Sequence, residues 1–85
     1  MKQNYPNPFN PSTLINFDIS KSGFVSLKIY DILGKEVATL LNNNQNPGKY
    51  GISFSTKDYN LSSGIYFYTL RVNDFVQTKM MILAK

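Results

Sequence analysis

Apolar and polar residues alternate with a period of two along most of this chain, and no window carries the 3.6-residue period of a helix. The clearest run is FVSLKIYDILGKEVATL, residues 24–40. Val25, Leu27 and Ile29 alternate with Ser26, Lys28 and Tyr30, which predicts a half-buried strand. Asp31-Ile32-Leu33-Gly34 then reads as a type I turn, with Asp at its first position and Gly34 taking positive φ in a G1 bulge. Residues 35–40 are the return strand, with Val37 and Thr39 expected across from the apolar face of the first. Such a hairpin is marginal alone, so other segments must cover it.

Upstream, Ile15, Phe17 and Ile19 alternate with Asn16, Asp18 and Ser20, a second strand of clear polarity. Lys21-Ser22-Gly23 supplies a turn, and the first three strands are expected to form a meander. Residues 42–48 hold no apolar side chain and end in Pro47-Gly48, which predicts a surface loop. Tyr50, Ile52 and Phe54 mark the next strand. Residues 64–72 are apolar on both parities near their start, as in a central strand covered on both sides. Leu61, Gly64 and Tyr66 are spaced like the corner in Greek-key sandwiches where a tyrosine hydroxyl bonds back to upstream backbone. Tyr66, Tyr68, Leu70 and Val72 would then point inward. Asn73-Asp74 makes a tight turn into a last strand, residues 75–84. It places Val76, Thr78, Met80 and Ile82 on one face and Phe75, Gln77, Lys79, Met81 and Leu83 on the other.

Three of the four prolines fall in NYPNPFNPS, residues 4–12. Proline fixes φ and biases the preceding residue toward extended geometry, so a stiff edge piece is expected, laid against a sheet by Tyr5 and Phe9. A linker in polyproline II fits the same composition. The whole pattern is that of one all-β domain over residues 1–85, with residues 1–11 as a proline-rich first edge strand and residues 12–85 as the body. The expected fold is an immunoglobulin-like antiparallel β-sandwich of about seven strands with Greek-key connections. A small closed barrel is the second choice.

Composition narrows the function. The 85 residues contain no cysteine and no histidine, which removes thiolate metal sites, disulfides and the usual proton shuttle near neutral pH. Serines and threonines therefore lack their common activating base. The carboxylates Asp18, Asp31, Glu36, Asp58 and Asp74 are dispersed, mostly at turns, and the asparagine run 42–46 has no carboxylate with which to hold calcium. No enzyme activity, catalytic residue, metal or cofactor is expected. The net charge of +4 is spread along the chain rather than gathered into a stripe, so nucleic acid is not an expected partner. No apolar run reaches the roughly 18 residues of a membrane span. Tyr66, Phe67 and Tyr68 beside Arg71 would allow a stacking platform, and Phe67, Tyr68 and Phe75 would serve a fibronectin-like or carbohydrate-binding accessory module, the alternative function. The apolar last strand between Lys79 and Lys85 is either a lysine-guarded edge or a segment that a receptor reads. An exposed edge strand also offers weak self-association.

Taken together, residues 4–13 (NYPNPFNPST), 25–37 (VSLKIYDILGKEV), 61–68 (LSSGIYFY) and 77–79 (QTK) closely resemble the C-terminal sorting domain of the type IX secretion system. The likeness covers nearly the whole chain. It implies an immunoglobulin-like sandwich at the C-terminus of a larger cargo protein from Bacteroidetes or related bacteria, with the cargo covalently linked on the N-terminal side. It implies export across the outer membrane through the type IX translocon. Removal by a sortase-like surface peptidase is common in the family, with the cargo released or held at the cell surface. By matching motifs, the sorting or recognition residues would be Tyr5, Pro6, Asn7, Pro8, Phe9, Gly64, Tyr66, Tyr68, Lys79 and Lys85. Met80 and Ala84 depart from the second basic residue and larger aliphatic common in the family.

Overall fold

A computed structural model describes residues 1–84, and all six strands lie in two antiparallel sheets packed face to face. The strands are β1 (Ser12–Ile19), β2 (Gly23–Tyr30), β3 (Glu36–Gln45), β4 (Gly48–Ser55), β5 (Gly64–Val72) and β6 (Phe75–Leu83). One sheet is β1-β4; the other runs β3-β2-β5-β6. Strands B and E on one side and C′, C, F and G on the other have this same order and connectivity in immunoglobulin variable-type sandwiches. A single 3-10 turn, Thr56–Asp58, interrupts the link from β4 to β5, with the Ser55 hydroxyl accepting from the Lys57 amide.

Alternation builds the core as expected for β1, β2 and β5. Ile15, Phe17 and Ile19 of β1, Val25, Leu27 and Ile29 of β2, and Tyr66, Tyr68 and Leu70 of β5 are all buried. Phe54 of β4 joins them, as do Met81 and Leu83, which settle the inward face of β6. The turn after β2 forms as its residues dictate. The Gly34 amide donates to the Asp31 carbonyl at 3.0 Å. Gly34 takes a φ of 85°, where a side chain is unfavourable.

Four expectations are corrected. β1 pairs with β4, not β2, so the first three strands form no meander; the chain crosses between sheets at Lys21-Ser22. The return strand β3 buries Ala38 rather than Thr39, and Val37 is only half-buried. Register shifts on either side of the Lys28–Thr39 and Ile29–Ala38 pairs leave Leu40 and Val37 unpaired, and each such bulge reverses the facing of the residues beyond it. Leu41 consequently faces Leu27. The asparagine run is not a loop. Asn42, Asn43, Asn44 and Gln45 pair with Ser26, Val25, Phe24 and Gly23, because β2 needs backbone partners along its whole length and a polar edge strand supplies them.

Fourth, the proline-rich segment makes two isolated bridges rather than a continuous strand. Tyr5 pairs antiparallel with Leu14 of β1, and Phe9 pairs parallel with Leu83 of β6. The segment therefore spans the gap between the two sheets and covers an edge of each. Phe9 plugs the interior at 2% exposure, with its ring edge-on to Phe54 at 6.1 Å. Tyr5, expected to hold the segment down, is instead 79% exposed. Asn4 takes the buried place.

Candidate recognition site

Several of the expected site residues, among them Asn7, Phe9, Gly64 and Tyr68, lie along the seam where the N-terminal segment meets β5 and β6. Tyr68 lies at its centre. It occupies the middle of β5 with its ring fully buried, and its hydroxyl accepts from the Asn4 amide at 2.8 Å and donates to the Lys2 carbonyl at 3.1 Å. Burial pushes the Tyr68 phenol above its ordinary pKa, while the bond from the Asn4 backbone pulls the other way.

Asn4 extends the network from the other side. Its Nδ2 donates to the Pro6 carbonyl at 3.1 Å and to Thr13 Oγ1 at 3.0 Å, and its Oδ1 accepts from Gln3 at 2.6 Å. The Thr13 hydroxyl donates in turn to the Pro6 carbonyl at 2.8 Å. Among the described residues no buried side-chain nitrogen or oxygen lacks a partner, so the network costs the fold no unsatisfied group.

The same segment caps the free edge of β6. The Phe9 amide donates to the Ile82 carbonyl at 2.9 Å, and the Phe9 carbonyl accepts from the Ala84 amide at 3.0 Å. Asn7 Oδ1 accepts from the Ile82 amide at 2.9 Å, and Gln3 Nε2 donates to the Met80 carbonyl at 2.7 Å. Side-chain amides and one residue of backbone thus occupy groups that an additional strand would otherwise take.

Tyr66 forms the expected corner: its hydroxyl donates to the Ser62 carbonyl at 2.7 Å. Gly64 opens β5 opposite Leu83, with a φ of 146°. Lys79 pairs with Tyr68 and is half-exposed at the edge. Lys85 lies outside the described residues. The nine predicted positions among the described residues divide by exposure, with Lys79 intermediate. Phe9, Tyr66 and Tyr68 are buried and Gly64 half-buried, so they shape the seam, whereas Tyr5, Pro6, Asn7 and Pro8 are exposed on it.

Three participants, Gln3, Asn4 and Thr13, are not among the residues the sequence marks for the site. Thr13 shares the inward parity of Ile15, Phe17 and Ile19, and an inward hydroxyl needs a partner, so its role was available. Asn4 sits in no alternating run and carries no such signal.

The stacking platform dissolves on inspection of the faces. Tyr68 has no exposed ring, and Phe67 and Phe75 sit on opposite parities of the β5-β6 hairpin, opposite Met80 and Val72 respectively. The Lys28–Glu36 pair, 3.2 Å apart on β2 and β3, joins a half-exposed lysine to an exposed glutamate, with Thr39 and then Lys28 holding the Glu36 carboxyl below its ordinary pKa.

No curated protein and no solved structure matches the chain. A family model does, described as the secretion system C-terminal sorting domain, over residues 3–84. That span takes in the seam from Gln3 through Ala84. The chain belongs to the family of type IX secretion system C-terminal sorting domains.

Proposed function

We propose that this domain addresses a covalently linked N-terminal cargo to the outer-membrane type IX translocon, and that a sortase-like surface peptidase then separates the two. The cargo is left secreted or attached at the cell surface, in a bacterium of the Bacteroidetes or a related group. The observation that carries this reading is the family match over residues 3–84. Membership itself supports a sorting signal and implies secretion; a sorting-signal domain is not catalytic in general.

In this reading the exposed Tyr5, Pro6, Asn7 and Pro8, with Lys79 and Lys85, are what the export machinery contacts. Phe9, Gly64, Tyr66 and Tyr68 position them. Burial supports that division, since a receptor cannot touch Tyr68 without unfolding the domain. The test is a periplasm-directed reporter joined to residues 1–85 in a host carrying the system. Tyr5→Ala combined with Asn7→Ala should lower surface delivery while the domain keeps its fold, and deletion of residues 75–85 should abolish it. Undiminished delivery by the deletion fusion would sink the proposal.

A further inference from the structure

The outer face of the four-stranded sheet has an apolar end that the seam does not use. Cross-strand register places Tyr30, Phe67 and Met80 in one row and Ile65 with Ile82 in the next. Met80 is 46% exposed, and Tyr30, Phe67 and Ile82 are half-buried. Beside them the β2-β3 turn holds Ile32 and Leu33 in water, Leu33 at 89% exposure. This turn is rigidly tied. Asp31 Oδ1 accepts from the Leu33 and Lys35 amides, both at 2.9 Å, and the Asp31 amide donates to the Lys35 carbonyl at 2.9 Å. Two adjacent aliphatics presented on a fixed turn contribute nothing to the core, and exposed apolar patches of this kind mark contact sites. Beside the turn, a groove of about 430 Å³ is lined by Asp31 and Ile32 together with residues 62–66.

We propose that the β2-β3 turn and this adjoining apolar end form a docking knob for a protein with a concave apolar cleft, one of whose side chains enters the groove. The identity of that protein as part of the export machinery rests on the sorting-signal reading above. A lipid surface fits poorly. Residues 31–36 carry Asp31 and Glu36 against Lys35, a net of −1, and Lys28 is already paired with Glu36, so the turn lacks the basic collar that anionic membranes attract. A second copy fits poorly as well. Strand spacing and rise give these two rows roughly 200 Å², about a quarter of what each partner contributes to a standard interface. A cleft that receives the turn and closes over the two rows buries both.

The experiment uses residues 1–85 joined to the periplasm-directed reporter. It compares wild type, Ile32→Ser combined with Leu33→Ser, Met80→Lys on the far side of the patch, and Phe75→Ser as a control. Phe75 is 56% exposed at the opposite end of β6. With melting of each purified domain unchanged, the double variant and Met80→Lys should each lower export roughly tenfold or more, and Phe75→Ser should leave it unaltered. Wild-type export by the double variant, or an equal loss in the control, overturns the knob. So does a dimer in sedimentation, or binding to phosphatidylglycerol vesicles, that the double variant abolishes. Absence of export by the wild-type fusion instead defeats the sorting-signal reading, and the assignment of this partner with it.

Discussion

The Tyr68 hydroxyl lies 2.8 Å from the backbone nitrogen of Asn4, a residue 64 positions away in sequence, and so joins the middle of the sheet to the segment that closes its edge. Tyr68→Phe removes both the acceptor of the Asn4 amide and the donor to Lys2. Because Asn4 is itself buried, its amide would be left without a partner, and a loss of about 1–3 kcal/mol in unfolding free energy is expected. Urea denaturation of the two proteins measures it.

The same hydroxyl sets an alkaline limit. Tyr68 is held protonated by burial, so its folded pKa lies above the ordinary 10.0. Its contribution is complete below that value and is lost as pH rises through the folded pKa, because the unfolded chain releases its proton first. Stability measured from pH 8 upward should fall beyond about pH 10 more steeply in wild type than in Tyr68→Phe. Parallel curves would remove Tyr68 as the cause.

Phe9 and Tyr5 offer a contrast within one motif. Phe9→Ala empties a buried position against Phe54 and should cost about 3–5 kcal/mol. Tyr5→Ala, at an exposed ring, should change stability by no more than about 0.5 kcal/mol. Thermal or chemical melts of the two variants separate the structural half of the motif from the half available to a partner.

Gly64 is open around the position of a would-be Cβ, with no atom within 4 Å, yet its φ of 146° is one that L side chains rarely adopt. Gly64→Ala should therefore destabilise by about 1–3 kcal/mol through backbone strain rather than crowding. An alanine variant as stable as wild type would show that the start of β5 relaxes freely.

Features set by local chemistry were legible in the sequence. Asp31 and Gly34 define their turn within four residues, and Tyr66 finds Ser62 four residues upstream, so spacing alone carried both. Parity along β1 and β5 was legible because neither strand is bulged in its pairings. What escaped depends on remote partners. Nothing near Val37 or Leu40 announces that the β2-β3 register slips twice, and asparagines 42–44 became strand only because β2 offered them a ladder. The choice of β4 over β2 as the neighbour of β1 is likewise a matter of how two sheets stack. The proline block lies at a sheet edge as its composition implies, but the residue buried beside Phe9 is the polar Asn4 rather than Tyr5, held by the Tyr68 hydroxyl.

The pairing of Phe9 with Leu83 has a temporal side. A polypeptide emerges from its N-terminus onward, whether from a ribosome or through a pore, and the backbone that seats Phe9 comes after every other strand. Until residues 82–84 arrive, that ring has Phe54 but not the β6 side of its socket, and the Phe9 backbone has no strand to bond. A half-delivered domain is thus physically distinct from a finished one, and any machine that grips the closed form is counting residues without needing to measure length.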